Sequence, residues 1–229
     1  MKRTEVIQRI LDKKKAPAYL EIGMGTGKNF FKIKARQKAA VDPHFKFPAK
    51  RKLAWLFRNP WNLFAKYYEM TSDDFFAQIK GSFKFDVVFI DGLHSHGQTL
   101  KDVENALTVL KEGGVIVMHD CNPSNEAAAQ PASNYDHAAS LNLPGWTGQW
   151  SGDVWKTICL LRSTRKDLRI FVLNCDHGLG IITRGTPENP LNLSKEKIEG
   201  MSYETLSRDR EKILNLKDER YLFKFLDTI

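Results

Sequence analysis

Glu21 stands two residues ahead of Gly23 in the stretch YLEIGMGTGKNF, where Gly23, Gly25 and Gly27 follow an apolar run. Glycine turns of this kind commonly cradle phosphates with backbone N–H groups. A carboxylate beside such a turn repels phosphate but suits a ligand with an ammonium group and no phosphate. The spacing also departs from the dinucleotide fingerprint, since Lys28 occupies the place of its third glycine. S-adenosylmethionine, which carries an ammonium and a sulfonium, meets these conditions. Nineteen residues beyond Gly23, Asp42 closes a second apolar run, where a carboxylate can accept both hydroxyls of a ribose. Ser72 and Asp73, in TSDDFF after a third run, are placed to meet an adenine edge.

A second group of residues could act on an acceptor. DGLHSH supplies Asp91, His94 and His96, and MHDCNP supplies His119 and Asp120. If the sulfonium ligand gives up its methyl group, that transfer is an in-line displacement that needs alignment and, for a hydroxyl acceptor, a base. His94 is the expected general base, because an imidazole exchanges protons near neutrality. Asp120 is the alternative base or the group that orients it. Asp91 is counted with the cofactor residues, and Asp91 with Asp120 could instead hold a divalent metal that acidifies the acceptor. No role is assigned to His96. Trp146 and Trp150 are expected to wall an acceptor pocket, and Trp155 to be core.

These residues must be positioned by strands. PAYLEIG reads as a buried strand, and KAAVD, AKYYEM, FKFDVVFIDG and GGVIVMHD as four further strands, and the candidate residues follow them directly. The glycine turn is expected to open a helix. GQTLKDVENALTVLKEGG puts Leu100, Val103, Leu107 and Leu110 on one helical face, with Gly113 and Gly114 as the stop. DLRIFVLNCDHGLGIIT reads as a closing hairpin. Strands alternating with helices imply a parallel sheet covered on both faces, which binds ligands at the strands' carboxyl ends. The N-terminal helix carries Val6, Ile7, Ile10 and Leu11 on one stripe.

Several motifs in order, E-x-G-x-G-x-G, the acid after the second strand, FDVVFIDGLHS, LKEGGVIVMHD, SGDVWKTICLLR and DHGLGII, resemble class I S-adenosylmethionine-dependent methyltransferases. Within that class the chain is similar to the bacterial small-molecule O-methyltransferase-like group. The resemblance covers roughly residues 17–184. It implies an α/β, Rossmann-like, doubly wound seven-stranded sheet, mostly parallel with one antiparallel strand. Asp91 and Asp120 match two metal-ligating aspartates of catechol-type relatives. Cys121 departs from their asparagine, and thiols suit magnesium poorly; Asn122 is a candidate substitute.

Residues 1–186 are expected to form the methyltransferase domain, with 121–150 as an acceptor lid, and 187–229 a helical extension packed on it. The three cysteines lack metal-site spacing and imply free thiols in the cytoplasm. No apolar run is long enough to cross a bilayer. The net charge of +8 admits acidic partners. The basic, aromatic segment 46–66 is expected to pack its rings over the sheet edge with its lysines solvated, a membrane-surface or RNA contact being the alternatives. The expected substrate is a small molecule, at a hydroxyl of a sugar or secondary metabolite, and a homodimer is left open. A nucleic-acid methyltransferase is disfavoured because DGLH stands where an amine-methylating N-P-P-Y-type motif would be. A non-catalytic binding protein on the same fold is disfavoured by Glu21 and Asp42.

Overall fold

The computed structural model describes residues 1–79 and 83–229. Its centre is one sheet of eight strands: β1 Ala18–Ile22, β2 Gln37–Asp42, β3 Lys66–Glu69, β4 Phe85–Ile90, β5 Leu110–Met118, β6 Leu168–Leu173, β7 Leu179–Arg184 and β8 Leu216–Lys217. They lie in the order β3-β2-β1-β4-β5-β7-β6-β8. Strands β1 to β5 run parallel where they pair, and β7 is antiparallel to both β5 and β6. The sheet exceeds the expected seven strands by β8, a two-residue strip added to β6. No helix among the described residues is long and apolar enough to cross a membrane.

Side chains alternate between two cores. Leu20 and Ile22 join the core under helices α3 (Ser72–Ile79), α4 (His96–Val109) and α6 (Trp155–Thr164), while Tyr19 joins the opposite core with α1 (Arg3–Asp12). Being odd-numbered on the same strand, Glu21 points to the α1 side. The chain also forms α2 (Ala49–Arg58), α5 (Tyr135–Ser140), α7 (Lys195–Glu199), α8 (Tyr203–Arg208), α9 (Arg210–Leu214) and α10 (Tyr221–Leu226). The C-terminal extension is thus a series of short helices, α7 to α10, with the strip β8 between α9 and α10. Leu206, Ile213 and Leu214 enter the α4–α6 core, and Leu222 and Phe225 enter the α1 core.

Two local expectations are corrected. Gly113 and Gly114 do not stop α4, which ends at Val109; they lie within β5, whose pairing with β4 shifts register between Phe85 and Val87. The glycine turn does not open an α-helix either, but a single 3₁₀ turn, Phe30–Lys32. Burial alternates from Phe31 onward, with Phe31, Ile33 and Ala35 buried and Lys32 and Lys34 exposed, a period of two that an α-helix does not present.

The turn leaves carbonyls without helical partners, and groups from elsewhere satisfy them. The Lys38 ammonium donates to Phe30 O at 2.6 Å and Ile33 O at 2.8 Å, while Asn59 Nδ2 donates to Phe31 O and Ile33 O, both at 2.9 Å. Asn62 Nδ2 donates to Phe31 O at 3.0 Å, and its Oδ1 accepts from Lys38 at 2.6 Å. Segment 46–66 therefore supplies the inner lining that the missing helix would have made unnecessary.

Candidate functional site

The ends of β1, β2 and β4 meet around Gly23. Its backbone has φ +83°, and an added Cβ would lie 2.0 Å from the Asp91 carbonyl oxygen. Only glycine allows the two strand-end loops to approach this closely. Gly25 donates its N–H to Asp42 Oδ2 at 2.7 Å, and His44 N donates to the other oxygen at 2.8 Å. Asp42 is thus fixed by the loop it faces. Gly27 has φ +74° and packs against the Phe31 ring.

Two hollows flank this loop and share Gly23, Gly25 and Asp91. The first, about 480 Å³, is bounded by Asp42, Ser72, Asp73 and Gln98 among others. Within it Ser72 Oγ donates to Asp102 at 2.6 Å, and Gln98 donates to the same oxygen at 3.0 Å. Asp73 pairs with Lys101 at 2.5 Å. Burial pushes the Asp102 carboxyl up, against the hydrogen bonds of Ser72 and Gln98. Asp102 was not expected from sequence, since a single acid inside an amphipathic helix reads as solvated.

The second hollow, about 410 Å³, is bounded by Arg3, Glu21, Asn29 and Asp176 among others. Glu21 is 2% exposed. It accepts hydrogen bonds from Tyr19 Oη at 2.6 Å and Asn29 Nδ2 at 2.9 Å. Burial pushes its carboxyl up to about 7, and those two hydrogen bonds limit the rise.

Asp91 joins these hollows to a titratable cluster. Its Oδ2 accepts from Arg3 at 2.7 Å, while its Oδ1 lies 3.2 Å from His119 Nδ1 and 3.6 Å from His94 Nε2. Burial pushes Asp91 up, but His119, His94 and Arg3 outweigh it and hold the carboxyl well below the usual range. His119 lies 2.6 Å from Asp120 Oδ2. Burial opposes its charge, yet Asp91 and Asp120 raise its pKa to about 10, so it is an imidazolium at neutral pH. Its buried Nε2 has no hydrogen-bond partner.

His94 is oriented from its far side. Nδ1 donates to the Trp150 carbonyl at 2.8 Å, since a carbonyl can only accept, and the two rings lie 5.0 Å apart. Nε2 then faces Asp120 Oδ2 at 3.3 Å. Burial lowers the His94 pKa, but Asp91 and Asp120 outweigh it and the net shift is upward. Ser151 Oγ donates to Asp120 Oδ1 at 2.9 Å, and Asp120 itself holds a left-handed φ of +58°. A non-glycine residue there is strained by about 1–3 kcal/mol, a cost that often marks a functional position. Gly152, with φ +59°, passes so close that an added Cβ would lie 1.9 Å from His94 O.

The structure therefore brings Asp91, His94 and Asp120 together and sets Asp42, Ser72 and Asp73 around one hollow, with Glu21 on the other. His96 is apart, bonded to Thr157. Of the tryptophans, Trp150 reaches His94, Trp155 is core, and Trp146 lies against the Tyr135 ring. Arg3, Ser151, Gly152 and Asp102 escaped the sequence reading because each depends on contacts distant in the chain.

Donor atoms of Asp91, His94 and Asp120 lie within 4.8 Å of one another, as a metal would require. The neighbouring donors do not complete that set. Cys121 is buried with its thiol on the Met118 and His119 carbonyls, and Asn122 is engaged by Arg210 and Asn174.

Residues 20–121 match a family model described as a methyltransferase domain. The fold is that of a class I methyltransferase. Among solved structures, the O-methyltransferase TomG of Streptomyces achromogenes, involved in tomaymycin synthesis and crystallised with S-adenosylmethionine, is similar. It is 15% identical, with TM-score 0.53 and 78% of each chain covered. An O-methyltransferase from Bacillus cereus, crystallised with S-adenosylhomocysteine, is 14% identical, with TM-score 0.53 over 81% of this chain and 82% of its own. No curated protein sequence matches the chain.

Proposed function

We propose that the protein is a cytosolic S-adenosylmethionine-dependent methyltransferase that acts on a hydroxyl of a small molecule, a sugar or secondary metabolite. The observation that carries this reading is Asp91, which lines both hollows at the glycine loop and also faces His94. Donor and base are thereby neighbours. The solved relatives carry the cofactor or its product, and all three cysteines are free thiols.

The ribose falls to Asp42, the adenine edge to Ser72 and Asp73, and the amino-acid end to Glu21. When bound, S-adenosylmethionine supplies an electrophilic methyl group on a sulfonium. His94 Nε2 takes the proton of the acceptor hydroxyl, and Asp120 with Asp91 stabilises the imidazolium that results. Trp150 keeps the ring in the competent tautomer, and segment 121–150 serves as the lid. Asp42→Ala should weaken cofactor binding by about one to two orders of magnitude, for the loss of charge-assisted hydrogen bonds. Calorimetry showing unchanged affinity in a folded variant would remove Asp42 from the site, and preferential binding of NAD by the unaltered protein would sink the whole reading.

A second reading rests on the convergence of Asp91, His94 and Asp120. These residues would hold a divalent ion, which would acidify the acceptor. Arg3 and His119 already neutralise the two carboxylates, which favours the metal-free form. Full turnover in excess chelator would decide for it.

A further inference from the structure

Residues 46–66 do more than line the interior. On their inner side Trp55 stacks on Phe31 with ring centres 6.1 Å apart, and Asn59 and Asn62 bind the turn carbonyls. The outer side is unlike the expectation that these rings pack over the sheet edge. Leu53 is 58% exposed, Phe57 84%, Trp61 46%, Leu63 64% and Phe64 72%, and no residue of α2 is buried. The same segment carries Lys46, Lys50, Arg51, Lys52, Arg58 and Lys66, with no acidic residue anywhere between 46 and 66.

We propose that α2 and the turn after it, Pro60–Phe64, form a docking surface for an anionic lipid bilayer. A helix of ten residues spans only about 15 Å, half the hydrocarbon thickness, so it lies in the interface rather than crossing it. Its apolar side chains enter the acyl boundary, where burying a Phe or Leu is favourable by the transfer of its surface from water. Its lysines and arginines meet the lipid phosphates.

The composition of the face selects this occupant over others. A second copy would bring two acid-free basic faces together, which repel. RNA would reward the aromatic rings by stacking and the basic residues by phosphate contact, but it offers nothing to Leu53 and Leu63. A bilayer rewards all of them. Phe64 also forms part of the wall of an apolar cavity of about 310 Å³ with Tyr68, Phe75, Phe83 and Phe85, and Arg36 and Lys66 border the same cavity. Space for the end of an acyl chain thus adjoins the exposed wedge. The face is tied to the glycine loop by Arg51, which donates to Thr26 O at 3.1 Å, and by Lys46 N, which donates to Gly25 O at 2.9 Å. Docking therefore brings the candidate site to the membrane surface.

Vesicle co-sedimentation of the full chain tests this. Phosphatidylcholine vesicles containing phosphatidylglycerol should carry the protein down, pure phosphatidylcholine vesicles should do so far less, and added salt should release it. Each neutralised basic residue, Lys50→Gln for example, should weaken binding about fivefold. The pair Phe57→Ser and Leu63→Ser, both at exposed positions, should weaken it more than about tenfold with an unchanged melting temperature. Failure to bind the anionic vesicles, or equal binding by the serine pair, would overturn the proposal. So would polyuridine binding abolished by the same serines while vesicles are ignored, or a dimer in light scattering that the same serines dissolve.

Discussion

The His94 ring is gripped at one nitrogen and offered at the other. The Trp150 carbonyl fixes Nδ1 as the donor, so in the neutral ring Nε2 is the basic position, beside Asp120 and Asp91. His94→Gln keeps a hydrogen bond to Trp150 but cannot take a proton, so turnover should fall about 10²–10⁴-fold while cofactor affinity changes little. Near-normal turnover in this variant would leave the ring only a positioning role and shift the base to Asp120. Glu21 gives a pH signature of its own. With its carboxyl raised to about 7 by burial, the ionised form that attracts an ammonium is scarce below that pH. Affinity for S-adenosylhomocysteine should therefore rise by up to about tenfold per unit between about pH 5 and 7, then level off. Calorimetry across that range should show the slope in the unaltered protein and a flat profile in Glu21→Gln. A flat profile in both would mean that the ammonium is held elsewhere.

At the scale of elements, the 3₁₀ turn after Gly27 and the segment that supports it form one unit. Asn62 bridges them, donating to Phe31 and accepting from the buried Lys38 ammonium, whose pKa burial lowers to about 7. Asn62→Ala should cost about 1–3 kcal/mol, because a buried carbonyl and an amine both lose a partner; urea denaturation would measure it. A smaller loss would mean that water replaces the amide. This unit also marks the limit of what the sequence showed. Strands were legible because VVFI and VIVM are apolar throughout, and candidate residues were legible because they follow those strands directly. The turn was not, since Asn59 and Asn62 act on carbonyls more than 25 positions away. Nor was Arg3, whose partner Asp91 lies 88 positions on.

At the scale of the whole molecule, the first and last of the described helices pack on each other. Helix α10 lies against α1, and Phe225 is fully buried with its ring centre 5.3 Å from that of Phe171 on β6. If residues 187–229 are an integral part of the folded unit, Phe225→Ala should destabilise the entire chain by about 3–5 kcal/mol within a single transition. Loss of α10 alone, seen as a separate early transition in calorimetry, would make that segment an appendage. Segment 46–66 belongs to this whole in a divided way. Its inward residues Trp55, Asn59 and Asn62 answer to the interior, while Leu53, Phe57 and Leu63 are free of it. The same stretch of chain is therefore subject to two independent kinds of selection. The outward positions can drift toward any chemistry that a new surface demands, and the glycine loop behind them remains in place as they change.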